Sequence, residues 1–154
     1  MTNKIISLFL DASVWGGYYD DEFLNDTRLL FQNIKDGKYA VFISDLVKEE
    51  LENAPENVKN LLTEIKYHMI EVTAEHEKLA DEYIREEVIG KTSKDDCIHI
   101  ATATIYNIDF LVSWNFKHIV NVKRIRGYNA VNIKNGYKSL EIRSPKDMGV
   151  YDDE

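Results

Sequence analysis

The sequence has few of the residues that build disulfides, zinc sites and glycine-rich loops. Its 154 residues include one cysteine, two prolines and seven glycines. Because the single cysteine, Cys97, cannot close an internal disulfide, we expect the chain to work in a reducing, cytoplasmic setting. One cysteine also leaves no paired-cysteine zinc motif. The glycines form neither a P-loop nor a G-x-G-x-x-G pattern, which excludes the common glycine-rich nucleotide motifs.

Long apolar runs are also absent from the sequence. No stretch approaches the roughly 18 apolar residues of a membrane-spanning helix, so no membrane partner is expected. The N-terminal segment MTNKIISLFLDAS meets an acid too early for a signal peptide. With 44% hydrophobic residues, the chain is expected to form one domain with its own core. We assign that domain to residues 1–146 and expect 147–154 to be an acidic, frayed tail.

The charge is unevenly distributed along the chain. The formal net charge is -8, yet residues 116–146 carry eight lysines and arginines against one acid, Glu141. A basic C-terminal third on an acidic body is compatible with a phosphate-bearing partner. The alternative is that these cations only solvate a helix face. The candidates for a patch that tracks RNA are Lys117, Lys123, Arg124 and Arg126.

Hydrophobic periodicity predicts strands that alternate with helices. Strands are predicted at 5–10, 39–43, 69–72 and 110–113, with an edge strand at 140–143. Helices are predicted at 21–35, 46–54, 57–67, 74–89, 94–106 (capped by Ser93) and 116–133, the last broken near Gly127. This alternation predicts an α/β fold with three layers, in which helices cover both faces of a mostly parallel sheet.

Polar side chains follow the predicted strands at one edge of this sheet. Asp11 ends the first strand, Glu50 lies on the helix after the second, and Asn115 follows the strand at 110–113. Asp96 lies in the first turn of another helix. Carboxylates gathered at one edge repel each other, and a hard divalent cation removes that conflict. The pattern therefore indicates a metal site suited to phosphodiester hydrolysis. With 27 acids in the chain, capping or solvated roles also fit the spacing alone.

Three segments resemble one known family. LFLDASVW, FISDLVKEEL and KDDCIHIATATIYNIDFLVSWNFKHI are similar to the PIN-domain nucleases, especially the toxin halves of VapBC-type toxin–antitoxin pairs. The resemblance covers about residues 5–119. It implies a PIN-like α/β/α fold and an endoribonuclease that depends on Mg²⁺ or Mn²⁺. It also implies RNA as the substrate, an antitoxin protein as a partner, and a homodimer.

The resemblance assigns roles to particular residues. Three positions match the family's metal-binding acids, two of them with a neighbouring competitor: Asp11, Glu50 (or Glu49) and Asp96 (or Asp95). Asn115 stands where many members have a fourth acid, so we expect it to be a weaker or water-mediated ligand. Ser13 matches a small polar residue that orients the first acid, although a helix cap explains it equally well.

Other residues near these motifs have simpler explanations. Lys94, Lys117 and His118 are candidates for contact with a substrate phosphate, with solvated or packed side chains as the alternatives. His99 lies three residues after Asp96, on the same side of the helix, and a satisfied structural histidine is the expected role. Trp114 is expected to pack, although base stacking is an alternative.

The sequence therefore predicts a metal-dependent endoribonuclease, acting as the toxin of a toxin–antitoxin pair. The alternative is a catalytically weak PIN-like module that keeps the fold for RNA or protein binding. The neutral Asn115 favours this alternative, and metal affinity without cleavage would identify it.

Overall fold

The computed structural model describes residues 4–90 and 93–149. These residues form five strands, seven α-helices and a final 3₁₀ helix. In chain order they are β1 (Ile6–Leu10), α1 (Ala12–Gly17), α2 (Leu24–Lys35), β2 (Tyr39–Ser44), α3 (Asp45–Glu52), α4 (Glu56–Glu64), β3 (Tyr67–Ile70), α5 (Ala74–Arg85), α6 (Lys94–Ile105), β4 (Phe110–Val112), α7 (Val122–Lys134), β5 (Glu141–Arg143) and the 3₁₀ helix Pro145–Met148.

The strands form one sheet in the order β3-β2-β1-β4-β5, and every neighbouring pair is parallel. Phe9 at the centre lies opposite Phe42 on one side and Leu111 on the other. The predicted parallel sheet is confirmed, and β5 is at its edge as expected. Because all strands point the same way, their carboxyl ends share one edge, which we call the carboxyl edge.

Helices cover the sheet on both sides. Helices α1 to α4 contact one another, and α5 packs against both α6 and α7. The central strand β1 is covered on both faces, since Leu8, Phe9 and Leu10 have no solvent exposure. A continuous apolar run is what a strand buried on both faces requires. None of the helices in the described parts of the chain is long and apolar enough to cross a membrane.

The helix predicted at 116–133 begins later than expected. Residues 116–121 form turns, because asparagine side chains satisfy backbone groups there. The Asn115 Oδ1 accepts from the His118 N–H at 2.9 Å, and the Asn121 Nδ2 donates to the carbonyls of Phe116 and Lys117. Asn121 also caps α7, since its Oδ1 accepts from the N–H of Arg124 at 2.9 Å.

The predicted break at Gly127 is wrong. Helix α7 runs through this residue without interruption. A Cβ at position 127 would lie 2.8 Å from Cγ1 of Val88, closer than two carbon atoms approach. The glycine therefore lets the helix approach a neighbouring segment and does not end it.

Several further boundaries differ from the prediction, including the start of α2 at Leu24 and the end of α3 at Glu52. Tyr67 begins β3 and does not end a helix, and β3 closes at Ile70. Helix α5 ends at Arg85, four residues early, because Glu87 adopts a φ of 60° that no α-helix continues through. The short helix α1, directly after Asp11, was not predicted.

The C-terminal boundary lies inside a helical turn. The 3₁₀ helix Pro145–Met148 crosses residue 147, where the acidic tail was expected to begin. Met148 is buried, and its carbonyl accepts a hydrogen bond from the Tyr39 hydroxyl at 3.2 Å. Residues 147–149 therefore pack on the domain, and 150–154 lie outside the described residues.

Candidate functional site

Asp11 lies at the carboxyl end of β1 with only 4% of its surface exposed. Its Oδ1 accepts a hydrogen bond from the hydroxyl of Ser13, and its Oδ2 accepts one from the hydroxyl of Ser113, both at 2.6 Å. The residue occupies the cap position of α1, but its side chain makes no capping hydrogen bond. Two hydroxyls, and not the helix, therefore fix the orientation of this carboxylate.

Both serines are themselves held by the backbone. The Ser13 Oγ accepts from the N–H of Trp114, and the Ser113 Oγ accepts from the N–H of Asn115, each at 2.9 Å. With a backbone donor on each oxygen, each hydroxyl gives its own proton to Asp11. Ser13 thus has the orienting contact that its position predicted. Ser113 was missed, and its signal was a small residue at the end of a strand.

Burial raises the pKa of Asp11 above its usual value. The hydrogen bonds from Ser113 and Ser13 and the nearby His99 act in the opposite direction. The negative charge of Asp96 adds to the increase. The carboxylate of Asp11 is thus held in one orientation, while burial and the charge of Asp96 disfavour its ionised form.

Glu50 reaches the same region from α3. The helix starts after Ser44, whose hydroxyl caps it by accepting from the N–H of Val47 at 3.1 Å. The Glu50 Oε1 lies 2.8 Å from the Nε2 of His99, an ion-pair distance. Two buried atoms, the Oε1 of Glu50 and the Nδ1 of His99, have no hydrogen-bond partner among the described residues.

His99 has a larger electrostatic role than the sequence indicated. Its side chain is 2% exposed, and burial alone would lower its pKa. The contact with Glu50 and the charges of Asp11 and Asp96 outweigh burial, so the pKa of His99 is raised. The three acids therefore favour the protonated form of His99. Its spacing from Asp96 was the signal in the sequence, but its ion pair with another helix was not.

Asp96 lies in the first turn of α6 and is less buried than Asp11. Its Oδ2 is 3.3 Å from the Nδ1 of His118 and 3.4 Å from the Nδ2 of Asn115. Burial raises the pKa of Asp96, and the negative charge of Glu50 adds to this effect, while the two histidines oppose it. The acid is thus linked to the segment after β4.

The amide nitrogen of Asn115, a hydrogen-bond donor, faces Asp96, so no oxygen of Asn115 is directed to this acid as a metal ligand would be. Because its Oδ1 accepts from the N–H of His118, its amide nitrogen must face Asp96. The imidazole of His118 is also within 3.0 Å of the Ser93 hydroxyl. Ser93 occupies the N-cap position of α6 as predicted, but its hydroxyl contacts His118 and makes no capping hydrogen bond.

The structure also places the competing acids and the basic residues that the sequence suggested for metal or phosphate contact. Glu50 and Asp96 are partly buried near Asp11, and we call these three acids the acidic pocket, whereas the competitors Glu49 and Asp95 are exposed. Lys94 forms an ion pair with Asp81 at 3.7 Å and is not brought to the acids. Among the four candidates for the basic patch, Arg124 donates to the carbonyl of Val88, and the other three, Lys117, Lys123 and Arg126, are exposed.

The chemistry of these side chains suits a hard divalent cation. Asp11, Glu50 and Asp96 offer only oxygen atoms, and one of those oxygens is buried without a hydrogen-bond partner. Within residues 4–90 and 93–149, however, no three histidine, cysteine, aspartate or glutamate side chains converge closely enough to hold an ion. Glu50 is instead paired with His99, and Asp96 with His118.

Comparison with known proteins identifies the family. The sequence profile of the PIN domain matches residues 8–118, which contain all four polar positions of the carboxyl edge. This chain belongs to the PIN-domain family. A search of curated proteins finds no match to this PIN domain.

Two solved structures share the fold of this PIN domain. VapC20 of Mycobacterium tuberculosis, a toxin that cleaves the sarcin–ricin loop, aligns with a TM-score of 0.56 and 16% identity, over 87% of this chain and 98% of its own. VapBC2 of Rickettsia felis, solved bound to a DNA fragment from its promoter, aligns with a TM-score of 0.53 and 18% identity, over 90% of this chain and 98% of its own. At these identities the likeness is one of fold.

Proposed function

We propose that this PIN domain is an endoribonuclease that hydrolyses RNA phosphodiester bonds with Mg²⁺ or Mn²⁺. The observation that carries the proposal is the environment of Asp11. Its carboxylate is buried and accepts hydrogen bonds from two hydroxyls, and the negative charge of Asp96 raises its pKa. A domain gains no stability from gathering carboxylates in this way, because burial and mutual repulsion oppose their ionisation. A site that binds a cation explains the arrangement.

In this proposal Asp11, Glu50 and Asp96 hold the cation. When bound, such an ion polarises a phosphoryl oxygen and lowers the pKa of a coordinated water. Glu50 would exchange its contact with His99 for the ion. A protonated His99 would neutralise part of the acidic charge before the ion binds.

The segment after β4 would contact the RNA. His118 is 27% exposed at its side chain, lies beside Asp96 and is fixed by Ser93 and by the turn that Asn115 closes. A histidine held in this way is suited to donate a hydrogen bond to a phosphate oxygen. Lys117, which is exposed, would add positive charge next to it. Asn115 then acts as a positioning residue, or as a ligand through water.

We further propose that the nuclease is the toxin of a toxin–antitoxin pair. Support comes from the sequence resemblance and from the shared fold with VapC20 and with VapBC2. An antitoxin would cover the acidic pocket and block access of RNA to Asp11. The helices α2, α3 and α4 expose Leu29 and the acids Glu49, Glu52 and Glu64, and we propose their surfaces for docking of the antitoxin and for a homodimer.

A second candidate is a PIN domain that binds RNA or protein without efficient cleavage. It is favoured by the amide nitrogen of Asn115, which faces Asp96 where an additional acid would strengthen cation binding. It is also favoured by the ion pair between Glu50 and His99, which occupies one acid.

Cleavage of a mixed panel of structured and single-stranded RNAs tests the proposal. The purified chain is assayed with EDTA, Mg²⁺ or Mn²⁺, beside an Asp96→Asn variant prepared identically. Asp95→Asn is the matched control, because it makes the same change on the exposed neighbour.

The nuclease proposal expects metal-dependent cuts that Asp96→Asn loses and Asp95→Asn keeps. Folded protein that binds Mn²⁺ and cuts none of the RNAs would favour the binding module. Equal cutting by all three proteins would identify a contaminating ribonuclease as the source of the cleavage, and would contradict the assignment of the activity to this pocket.

A further inference from the structure

A cleft lies directly beside the acidic pocket, between α1 and the segment after β4. Its volume is about 340 Å³, which falls within the range of small-ligand pockets. The cleft shares Ser13 and Asn115 with the acidic pocket, and its other walls include Gly16, Phe23 and Trp114. Since Ser13 bonds Asp11 and Asn115 contacts Asp96, a molecule in this cleft would be a direct neighbour of any group held by the acids.

One wall of the cleft is a rigid aromatic surface. The ring of Phe23 stacks on Trp114 with centroids 4.2 Å apart and an interplanar angle of 19°. The indole is fixed because its Nε1 donates to the hydroxyl of Thr27 at 2.9 Å. Phe116 meets the indole edge-on at 5.9 Å and remains 50% exposed, an unusual position for a phenylalanine. Trp114 itself is only 8% exposed, so the accessible ring surface here belongs to the partly buried Phe23 and to Phe116. Exposed aromatic rings are the surfaces on which nucleic-acid bases stack.

The charge of the cleft favours a base over a phosphate. No lysine or arginine is among its lining residues, and Asp20 contributes a carboxylate at its exposed rim. The Oδ1 of Asp20 accepts from the N–H of Glu22 at 2.9 Å. A carboxylate repels phosphate groups, but it accepts hydrogen bonds from the amino groups of bases.

We propose that this aromatic cleft binds the base of a nucleotide that adjoins the scissile phosphate in single-stranded RNA, an inference that rests on the proposed function. The phosphate would lie at the acids, and its neighbouring base would turn into the cleft against Phe23 and Trp114, with the exposed ring of Phe116 beside them. A base in a duplex cannot enter, because it stays paired and stacked. The cleft thereby makes the enzyme selective for unpaired RNA.

Gly16 provides a test that leaves the acids untouched. A Cβ at this position meets no atom within 4 Å, so a side chain here extends into open space at the cleft without disturbing the packing. We expect Gly16→Leu to obstruct the cleft, and Gly16→Ala, the matched control, to bind RNA like the parent. Phe116→Ala removes the exposed ring by an independent route.

Binding is measured by fluorescence anisotropy in EDTA at constant salt, so that no RNA is cut. The probes are a short single-stranded RNA, the same RNA with abasic nucleotides, and a duplex. One stacked base contributes about 1–3 kcal/mol, or about 5- to 150-fold in affinity. We expect Gly16→Leu and Phe116→Ala to weaken binding of the intact single strand by about 10-fold, and the parent to lose a similar factor on the abasic strand.

The two variants are expected to bind the intact and abasic strands almost equally. Equal affinity of parent and both variants for the intact strand, or no base dependence in the parent, would overturn the cleft assignment. A parallel cleavage assay with Mn²⁺ separates the two proposals. A parent that binds bases through this cleft and never cuts would contradict the nuclease alone, whereas a parent that cuts while the variants bind normally would contradict the cleft alone.

Discussion

Two aspartates at opposite ends of the β1–β4 pair show how the same residue types serve different purposes. At the amino end, the Asp109 Oδ2 accepts from the backbone N–H of Ser7 at 2.8 Å and from its hydroxyl at 3.1 Å. The Ser7 hydroxyl in turn accepts from the N–H of Asp109 at 2.8 Å. This reciprocal set joins the two strands. At the carboxyl end, the carboxylate of Asp11 accepts hydrogen bonds from two hydroxyls and from no backbone N–H among the described residues.

The surroundings of the two carboxylates differ as well. Asp109 is partly exposed and stands at the ordered start of β4, so its charge remains near water. Asp11 is buried, and its pKa is raised by burial and by Asp96. The carboxylate of Asp109 accepts a backbone hydrogen bond from Ser7 and stabilises the strand pair, and we call these two residues the clamp. A carboxylate buried among like charges, such as Asp11, is suited to bind a cation. The comparison separates stability from function along one pair of strands.

The largest expected difference is in activity. Asp11→Asn should reduce metal-dependent RNA cleavage by about 100-fold or more, because even groups that only orient metal ligands contribute about 10- to 100-fold. Asp109→Asn should cleave at the parent's rate. Initial rates on one RNA substrate with Mn²⁺ measure both, and comparable losses in the two variants would contradict the comparison.

We expect the serines that bond these two aspartates to differ in the same way, Ser113 affecting cleavage and Ser7 affecting stability. Ser113→Ala removes one of the hydrogen bonds that lower the pKa of Asp11 and orient it, so cleavage should fall by about 10- to 100-fold. Ser7→Ala should leave cleavage unchanged and cost about 0.5–1.5 kcal/mol in the free energy of unfolding. Cleavage rates and urea denaturation of both variants provide the readouts. Unchanged cleavage in Ser113→Ala would remove its positioning role.

The clamp should matter more for stability than for activity. Asp109→Ala leaves the N–H of Ser7 without its acceptor, and we expect a loss of about 1–3 kcal/mol in the free energy of unfolding. Circular dichroism during urea denaturation measures it. A protein as stable as the parent would show that water replaces the carboxylate at no cost.

The smallest expected effect is a pH-dependent gain of stability in Asp11→Asn without metal. Because the folded-state pKa of Asp11 is raised above its ordinary 3.8, the favourable contribution of the protonated form is present at low pH and is lost as the pH rises through the folded-state pKa. Asparagine does not ionise, so the variant should be more stable than the parent at about pH 8 in EDTA. Urea denaturation from about pH 8 to pH 4 should show the difference shrinking, and a difference independent of pH would contradict this account.

The sequence contained enough information for the sheet and for the position of the acids. The strand that ends in Asp11 is central, with Leu8, Phe9 and Leu10 fully buried, and the parallel order brings Asn115 to the same edge. Glu50 and Asp96 could be chosen over their neighbours only through the family resemblance. Both are partly buried in the structure, whereas Glu49 and Asp95 are exposed.

Contacts between distant elements could not be predicted in this way. The ion pair of Glu50 with His99 depends on how α3 and α6 meet across the domain, which periodicity within each helix does not specify. The turns at 116–121 were predicted as helix because hydrophobic spacing ignores the asparagine side chains that satisfy the backbone there. Gly127 was taken as a break because its close neighbour, Val88, is distant in sequence.

Calorimetric titration of Mn²⁺ into the parent, Asp11→Asn and Asp109→Asn tests the central claim most directly, because it needs neither the RNA target nor an antitoxin. The account predicts that the parent and Asp109→Asn bind Mn²⁺ with the same affinity and that Asp11→Asn binds it far more weakly. Equal binding by all three proteins, or no binding by the folded parent, would contradict the claim that the carboxyl edge is a metal site.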